Sequence, residues 1–254
     1  MKVALFQQDI VWGNPEANWR SLGKMFDKVS DIDLFVLPEM FSTGFVTSNP
    51  EIAEKEPVPS LSWMKEQAAA RNCAIAGSVA VNSGGSLYNR FYFVEPDGKT
   101  SVYDKRHLFA YGGEDRCFTA GENRCIVEYR GVRFLPEICY DLRFPVWSRN
   151  KGDYDVAVYV ANWPVKRQLA WDTLVRARAI ENQCIVLAVN RCGTDPILEY
   201  EGGSAVYNAY GELVASCERG KEGIVIAELD IDELKDYCRK FPVSDDADEF
   251  KIII

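Results

Sequence analysis

The sequence predicts an α/β fold, a mixed sheet system covered by helices. Three observations carry this: strand-like apolar runs alternate with helical stripes, each half of the chain adds hairpins, and 254 residues suffice to bury a large core. Sheets covered by helices commonly reach this length as one domain, so a single domain over 1–254 is expected.

Residues 2–8 read as the first strand. Asn14-Pro15 then supplies an N-cap with proline in the first helical turn. Leu22, Met25, Phe26 and Val29 recur at the spacing that packs one helical face on a sheet. A short apolar strand over 33–37 stops at Pro38, a helix over 61–71 is favoured by three successive alanines, and 73–81 returns to a strand. Residues 87–94 and 100–105 flank Pro96-Asp97-Gly98, a turn between two strands.

The second half has a similar order. Residues 124–129 and 132–138 form a hairpin around Gly131, 144–150 a short helix, and 155–161 a buried strand. A long helix over 166–183 leads to a strand over 184–190, a hairpin over 204–215 turning near Tyr210-Gly211, and a last strand over 223–229. Asp230 and Glu233 open a helix that runs to about Lys240. The tail over 241–254 ends in Ile252-Ile253-Ile254, too apolar for water, and is expected to pack on a neighbour or a partner subunit.

Composition narrows the function. The net charge of -9 repels a phosphate backbone, which argues against nucleic acid as a partner. No run approaches the ~18 apolar residues of a membrane span, and the N-terminus lacks the apolar stretch of a signal peptide, so a cytoplasmic protein is expected. Eight cysteines without a C-x-x-C pair make a disulfide framework improbable; Cys73 and Cys184 lie in apolar runs, where a thiol behaves as a small buried hydrophobe. His107 is the single histidine, which speaks against a zinc centre and against nucleophiles that need a histidine base. A cysteine enzyme with this composition needs a carboxylate base, and no metal or organic cofactor is expected.

Three segments carry reactive residues at the carboxyl ends of strands, where ligand crevices of α/β sheets form. They are Leu-Pro-Glu39-Met-Phe, Tyr-Asp-Lys105-Arg-His-Leu-Phe and Pro-Glu-Ile-Cys139-Tyr-Asp-Leu-Arg. Cys139 falls at a strand-to-helix turn, a position expected to favour the thiolate. Glu39 follows an apolar strand and a proline, a partly desolvated setting that raises a carboxyl pKa and suits proton transfer. Alone, Glu39 could equally be a loop glutamate and Lys105 a solvated edge charge.

With these motifs the chain resembles the nitrilase superfamily of carbon-nitrogen hydrolases over nearly its whole length, most closely the omega-amidase branch. The resemblance rests on the three segments in that order, on Cys139-Tyr-Asp-Leu-Arg-Phe-Pro-Val-Trp-Ser-Arg-Asn150, on Ala161-Asn-Trp-Pro164 and on Arg176-Ala-Arg-Ala-Ile-Glu-Asn-Gln183. It implies a four-layer α-β-β-α sandwich of two mixed sheets, a homodimer, and a Glu39, Lys105 and Cys139 triad that cleaves an amide through a thioester. It further implies a second glutamate after the lysine motif, matched by Glu114, with Asp115 and Glu122 as neighbouring alternatives. The substrate implied is a short 2-oxo acid bearing a terminal amide. Tyr140 would lend a backbone N–H to the oxyanion, Arg143 could pair with a substrate carboxylate or with an acid of the fold, and Trp163 and Phe45 would form a pocket wall or core. The rivals are another small-amide hydrolase of the superfamily, a nitrilase proper, or a non-catalytic binding protein on the same fold.

Overall fold

The computed structural model describes residues 1–253. The chain runs β1 (Lys2–Gln7), α1 (Pro15–Phe26), β2 (Leu34–Val36), β3 (Glu54–Lys55), α2 (Pro59–Arg71), β4 (Ala74–Ser83), β5 (Ser86–Val94) and β6 (Thr100–Asp104). It continues with β7 (Val127–Tyr129), β8 (Val132–Ile138), α3 (Pro145–Ser148), β9 (Val156–Ala161), α4 (Gln168–Asn182) and β10 (Ile185–Asn190). The last elements are β11 (Cys192–Thr194), β12 (Glu199–Glu201), β13 (Ala205–Tyr207), β14 (Leu213–Ser216), β15 (Gly223–Glu228) and α5 (Ile231–Lys240).

Two mixed sheets result, ordered β15-β1-β2-β4-β5-β6, with β3 beside β4, and β14-β13-β10-β9-β8-β7. Each has the same plan. Parallel strands lie side by side, β1-β2-β4 in one and β8-β9-β10 in the other, and antiparallel hairpin strands extend them. Parallel strands are apolar on both faces because both faces are covered, and β2, β9 and β10 are buried at every position.

Side-chain alternation divides the core into layers. Val3, Leu5, Val36, Phe93, Phe134, Val158 and Leu187 fill the space between the sheets. Ala4, Phe6, Phe35 and Ile75 face the other way and receive Leu22, Phe26 and Met64 from α1 and α2. Leu135, Ala157 and Val186 receive Trp171, Val175 and Ala179 from α4. This is the α-β-β-α sandwich.

Caps fall where side-chain chemistry places them. Asn14 accepts from the Ala17 backbone N–H at 3.1 Å, and Asp230 accepts from that of Glu233 at 2.8 Å. Several expected bounds shift. The helix expected over 166–183 begins at Gln168, after a 3-10 turn over Val165–Arg167, and ends at Asn182, because Gln183 turns left-handed (φ 44°). The helix expected over 144–150 shrinks to Pro145–Ser148, and the strand expected from 124 begins at Val127, with Arg124 turned aside to Asp153. In the tail, Ile252 packs against the chain's own core and Ile253 is 89% exposed, while Ile254 lies outside the described residues.

Candidate active site

Glu39, Lys105 and Cys139 each follow the carboxyl end of a strand, β2, β6 and β8 respectively, and the sandwich brings those ends together. Glu39 and Lys105 are wholly buried. Lys105 Nζ lies 2.9 Å from Glu39 Oε1 and 2.8 Å from Glu114 Oε2. The ambiguity among neighbouring acids resolves geometrically, since Glu114 is buried against Lys105 while Asp115 and Glu122 are exposed.

The knot has further donors. Asn89 Nδ2 donates to both Glu39 Oε1 (2.7 Å) and Glu114 Oε1 (3.0 Å), and the Phe109 backbone N–H donates to Glu114 Oε2 (2.7 Å). Asn162, just past β9 in the other sheet, donates its backbone N–H to Glu39 Oε2 at 2.8 Å and its amide to the Glu39 carbonyl at 2.6 Å. Burial works against the Lys105 charge, but the Glu114 and Glu39 carboxylates overcome it and hold the ammonium above its ordinary pKa. Burial also raises the Glu114 carboxyl, with Lys105 pulling the other way.

Cys139 takes a left-handed backbone conformation (φ 47°) at the end of β8 and opens a 3-10 turn over Cys139–Arg143. Such a conformation costs a residue with a β-carbon about 1–3 kcal/mol, so the surroundings must hold it. Asp141 does so. Its carboxylate accepts from the Ile138 backbone N–H (3.0 Å), from the Tyr103 hydroxyl (2.8 Å) and from the His107 backbone N–H (2.9 Å), tying the turn to the Lys105 segment. His107 is further pinned by stacking on Phe144, with ring centroids 3.8 Å apart.

The structure corrects one electrostatic expectation. Burial and then the Glu39 carboxylate push the Cys139 thiol well above its usual range, and Lys105 only partly opposes them. The direction runs against the thiolate expected at this turn. A one-turn 3-10 element and a cation already paired twice cannot offset desolvation beside two carboxylates. Burial is also the main cause at other cysteines, lifting Cys73 to about 11 and Cys184 to about 12.

Cys139 and Lys105 floor a pocket walled by Phe45, Phe109, Tyr140 and Trp163. Trp163 is both wall and core, because it also packs on Trp171 at 5.6 Å. Arg143 lines the pocket, lies 5.0 Å from the Trp163 ring and forms no ion pair among the described residues. Past Phe45 and Phe109 the pocket opens into an outer cavity of about 440 Å³. A larger cleft of about 700 Å³ lies between Arg149 and the tail but gathers no cysteine, so size alone does not mark the site. Among the described residues no group of three His, Cys, Asp or Glu is placed to hold a metal ion, and no helix is long and apolar enough to cross a membrane.

Sequence reasoning missed Asn89, Arg167 and Tyr200 and gave Asn162 and Phe109 no role beyond their place in the family motifs, yet all five border the pocket or its charged floor. Asn89 left a faint signal, an amide in the middle of an aromatic strand. Arg167 left none, since it sits in what reads as the first turn of a surface helix.

A buried carboxylate-lysine knot beside a cysteine, on a four-layer sandwich, defines a cysteine hydrolase with a carboxylate base. The sequence profile of carbon-nitrogen hydrolases matches residues 2–239, and the chain belongs to that family. It is 45% identical over 255 residues to the omega-amidase YafV of Escherichia coli K12, covering 99% of this chain and 98% of that one. It is 37% identical to the 2-oxoglutaramate amidase of Bacillus subtilis, covering 96% of each. A crystal structure of a CN-hydrolase superfamily protein from Xanthomonas campestris, with an arsenic adduct in its active site, superposes with a TM-score of 0.96 at 39% identity, covering 99% and 98% of the two chains. Amide hydrolysis is the activity these likenesses assign to the chain.

Proposed function

We propose that the protein hydrolyses the terminal amide of a short 2-oxo dicarboxylic acid monoamide to the carboxylate and ammonia, through a thioester on Cys139. The observation that carries this reading is the buried Glu39–Lys105–Glu114 knot beside Cys139 at the floor of a pocket that also presents arginine. The named activities of the relatives from Escherichia coli and Bacillus subtilis support the substrate class.

In this reading the Cys139 sulfur bonds to the amide carbon as its proton passes to Glu39. The Lys105 ammonium and the Tyr140 backbone N–H stabilise the oxyanion. When the carbonyl re-forms, the C–N bond breaks and Glu39 returns the proton to the departing ammonia. Water then attacks the thioester with Glu39 as base, the acid leaves, and the thiol is restored. Glu114 keeps Lys105 charged and in place, while Arg143 pairs with the distal carboxylate through a two-pronged contact.

The protein works in this reading as a cytoplasmic homodimer. Eight free cysteines suit a reducing compartment. The exposed side chains of Ile180, Tyr210 and Phe241 offer apolar surface for a second copy, and sedimentation would report the dimer. The direct test of the chemistry is ammonia release from 2-oxosuccinamate by the parent and by Cys139→Ala and Glu39→Gln variants. Both variants should fold and lose essentially all turnover; substantial activity in either would remove the residue from its role.

A further inference from the structure

Two positive charges in the pocket have no counterpart. Lys105 is neutralised twice over, but Arg143 and Arg167 form neither an ion pair nor a side-chain hydrogen bond among the described residues. Arginines elsewhere in the interior are ion-paired, the buried Arg178 with Glu181 and Arg191 with Asp9 and the half-buried Arg90 with Asp104, whereas Arg143 is exposed and Arg167 half-buried. Acids are plentiful in a chain of net charge -9, yet none lines this inner pocket, and Asp195 lines only the outer cavity that Arg167 also borders.

The two guanidiniums are also braced in the same way. Arg143 lies 5.0 Å from the Trp163 ring centre and Arg167 lies 4.9 Å from that of Phe109. An aromatic ring supports the face of a guanidinium and leaves its N–H edge for a ligand. The Trp163 indole N–H donates to the Arg167 carbonyl at 2.8 Å, so the ring beneath one arginine grips the backbone of the other and sets their spacing.

Building on the substrate reading above, we infer that Arg167 is a specificity-determining residue that, with Arg143, clamps the 2-oxo-carboxylate end of the substrate. One guanidinium suffices for a lone carboxylate. A 2-oxo carboxylate adds a third acceptor, the adjacent keto oxygen, and so gives a second guanidinium something to bind. The same pair disfavours an amino acid amide, whose ammonium would sit against two cations with no acid to receive it.

The test compares kcat and KM of the parent, Arg167→Ala and Arg167→Lys on 2-oxosuccinamate and on butyramide, which lacks both the carboxylate and the keto group. Arg167→Ala should raise KM for 2-oxosuccinamate by about 10- to 150-fold, the scale of a lost hydrogen bond to a charged group. Its kcat should stay near the parental value, its kcat/KM for butyramide should fall far less than that for 2-oxosuccinamate, and lysine should restore part of the loss. If Arg167→Ala slows both amides equally while thermal unfolding is unchanged, Arg167 merely supports Phe109; the inference falls and the substrate reading stands. If the parent itself turns over butyramide as well as 2-oxosuccinamate, the substrate reading fails and takes the inference with it.

Discussion

Glu114 and Glu137 are both wholly buried acids, and both have pKa values raised by desolvation, yet their surroundings are opposite. Glu114 receives Lys105 on both oxygens, together with Asn89 and the Phe109 backbone N–H. Glu137, two residues before the nucleophile on β8, has no hydrogen-bond partner on either oxygen among the described residues, and the Ser148 and Tyr159 hydroxyls likewise have none. Asp141 pushes the Glu137 carboxyl further up, and Arg124 and Arg178 only partly oppose it. A buried carboxylate stays charged where donors surround it; otherwise it keeps its proton. Only the first arrangement can hold a catalytic cation.

The contrast can be broken at four points. Lys105→Ala should do the most damage, since it removes an oxyanion donor and leaves two buried carboxylates facing each other. Turnover should fall at least ~10²-fold, and urea denaturation should report a stability loss of about 3–5 kcal/mol. A mild loss of both would mean the knot is not the working charge cluster. Glu114→Gln keeps the shape and removes one of the two anions; kcat should fall about 10- to 150-fold, as for one lost charge-assisted contact.

Glu137→Gln should act on stability alone, with a defined pH dependence. Because the folded-state pKa is raised, the stability this group contributes is complete below its unfolded value of about 4.3 and is lost as pH rises toward the folded value. The glutamine has no proton to hold. The variant should therefore match the parent in Tm near pH 4 and exceed it at pH 8, with kcat unchanged. A drop in kcat would place Glu137 in the catalytic machinery and dissolve the comparison. The smallest effect is expected from Cys184→Ala, which empties a buried thiol site under α4: a stability loss below about 3 kcal/mol and no change in thiol-dependent turnover.

The layers were legible in the sequence because period-two and helical patterns report burial directly, as at Leu22, Met25 and Phe26 or along β9. The pairs Glu54–Lys55 and β11–β12 were not, since strands of two or three residues leave no periodicity to read. Glu39, Lys105 and Cys139 were legible through their place at strand ends and through the family motifs around them. Asn89, Asn162 and Arg167 were not, because their importance comes from contacts across distant segments: 50 residues separate Asn89 from Glu39, and 123 separate Asn162 from Glu39. The upward shift of the Cys139 thiol was not legible either, since it comes first from burial in the folded chain and then from the Glu39 carboxylate, which lies far away in sequence.

Glu39 leaves one sheet and takes its second oxygen's hydrogen bond from the Asn162 backbone N–H of the other. The base is thus aligned by the docking of two layers whose shared surface is otherwise greasy and non-directional. A slip of even one ångström between the sheets would cost little apolar contact but would break that bond. Turnover is accordingly a finer gauge of layer alignment than circular dichroism, and mild denaturant or pressure should silence the enzyme while its strands and helices are still counted as intact.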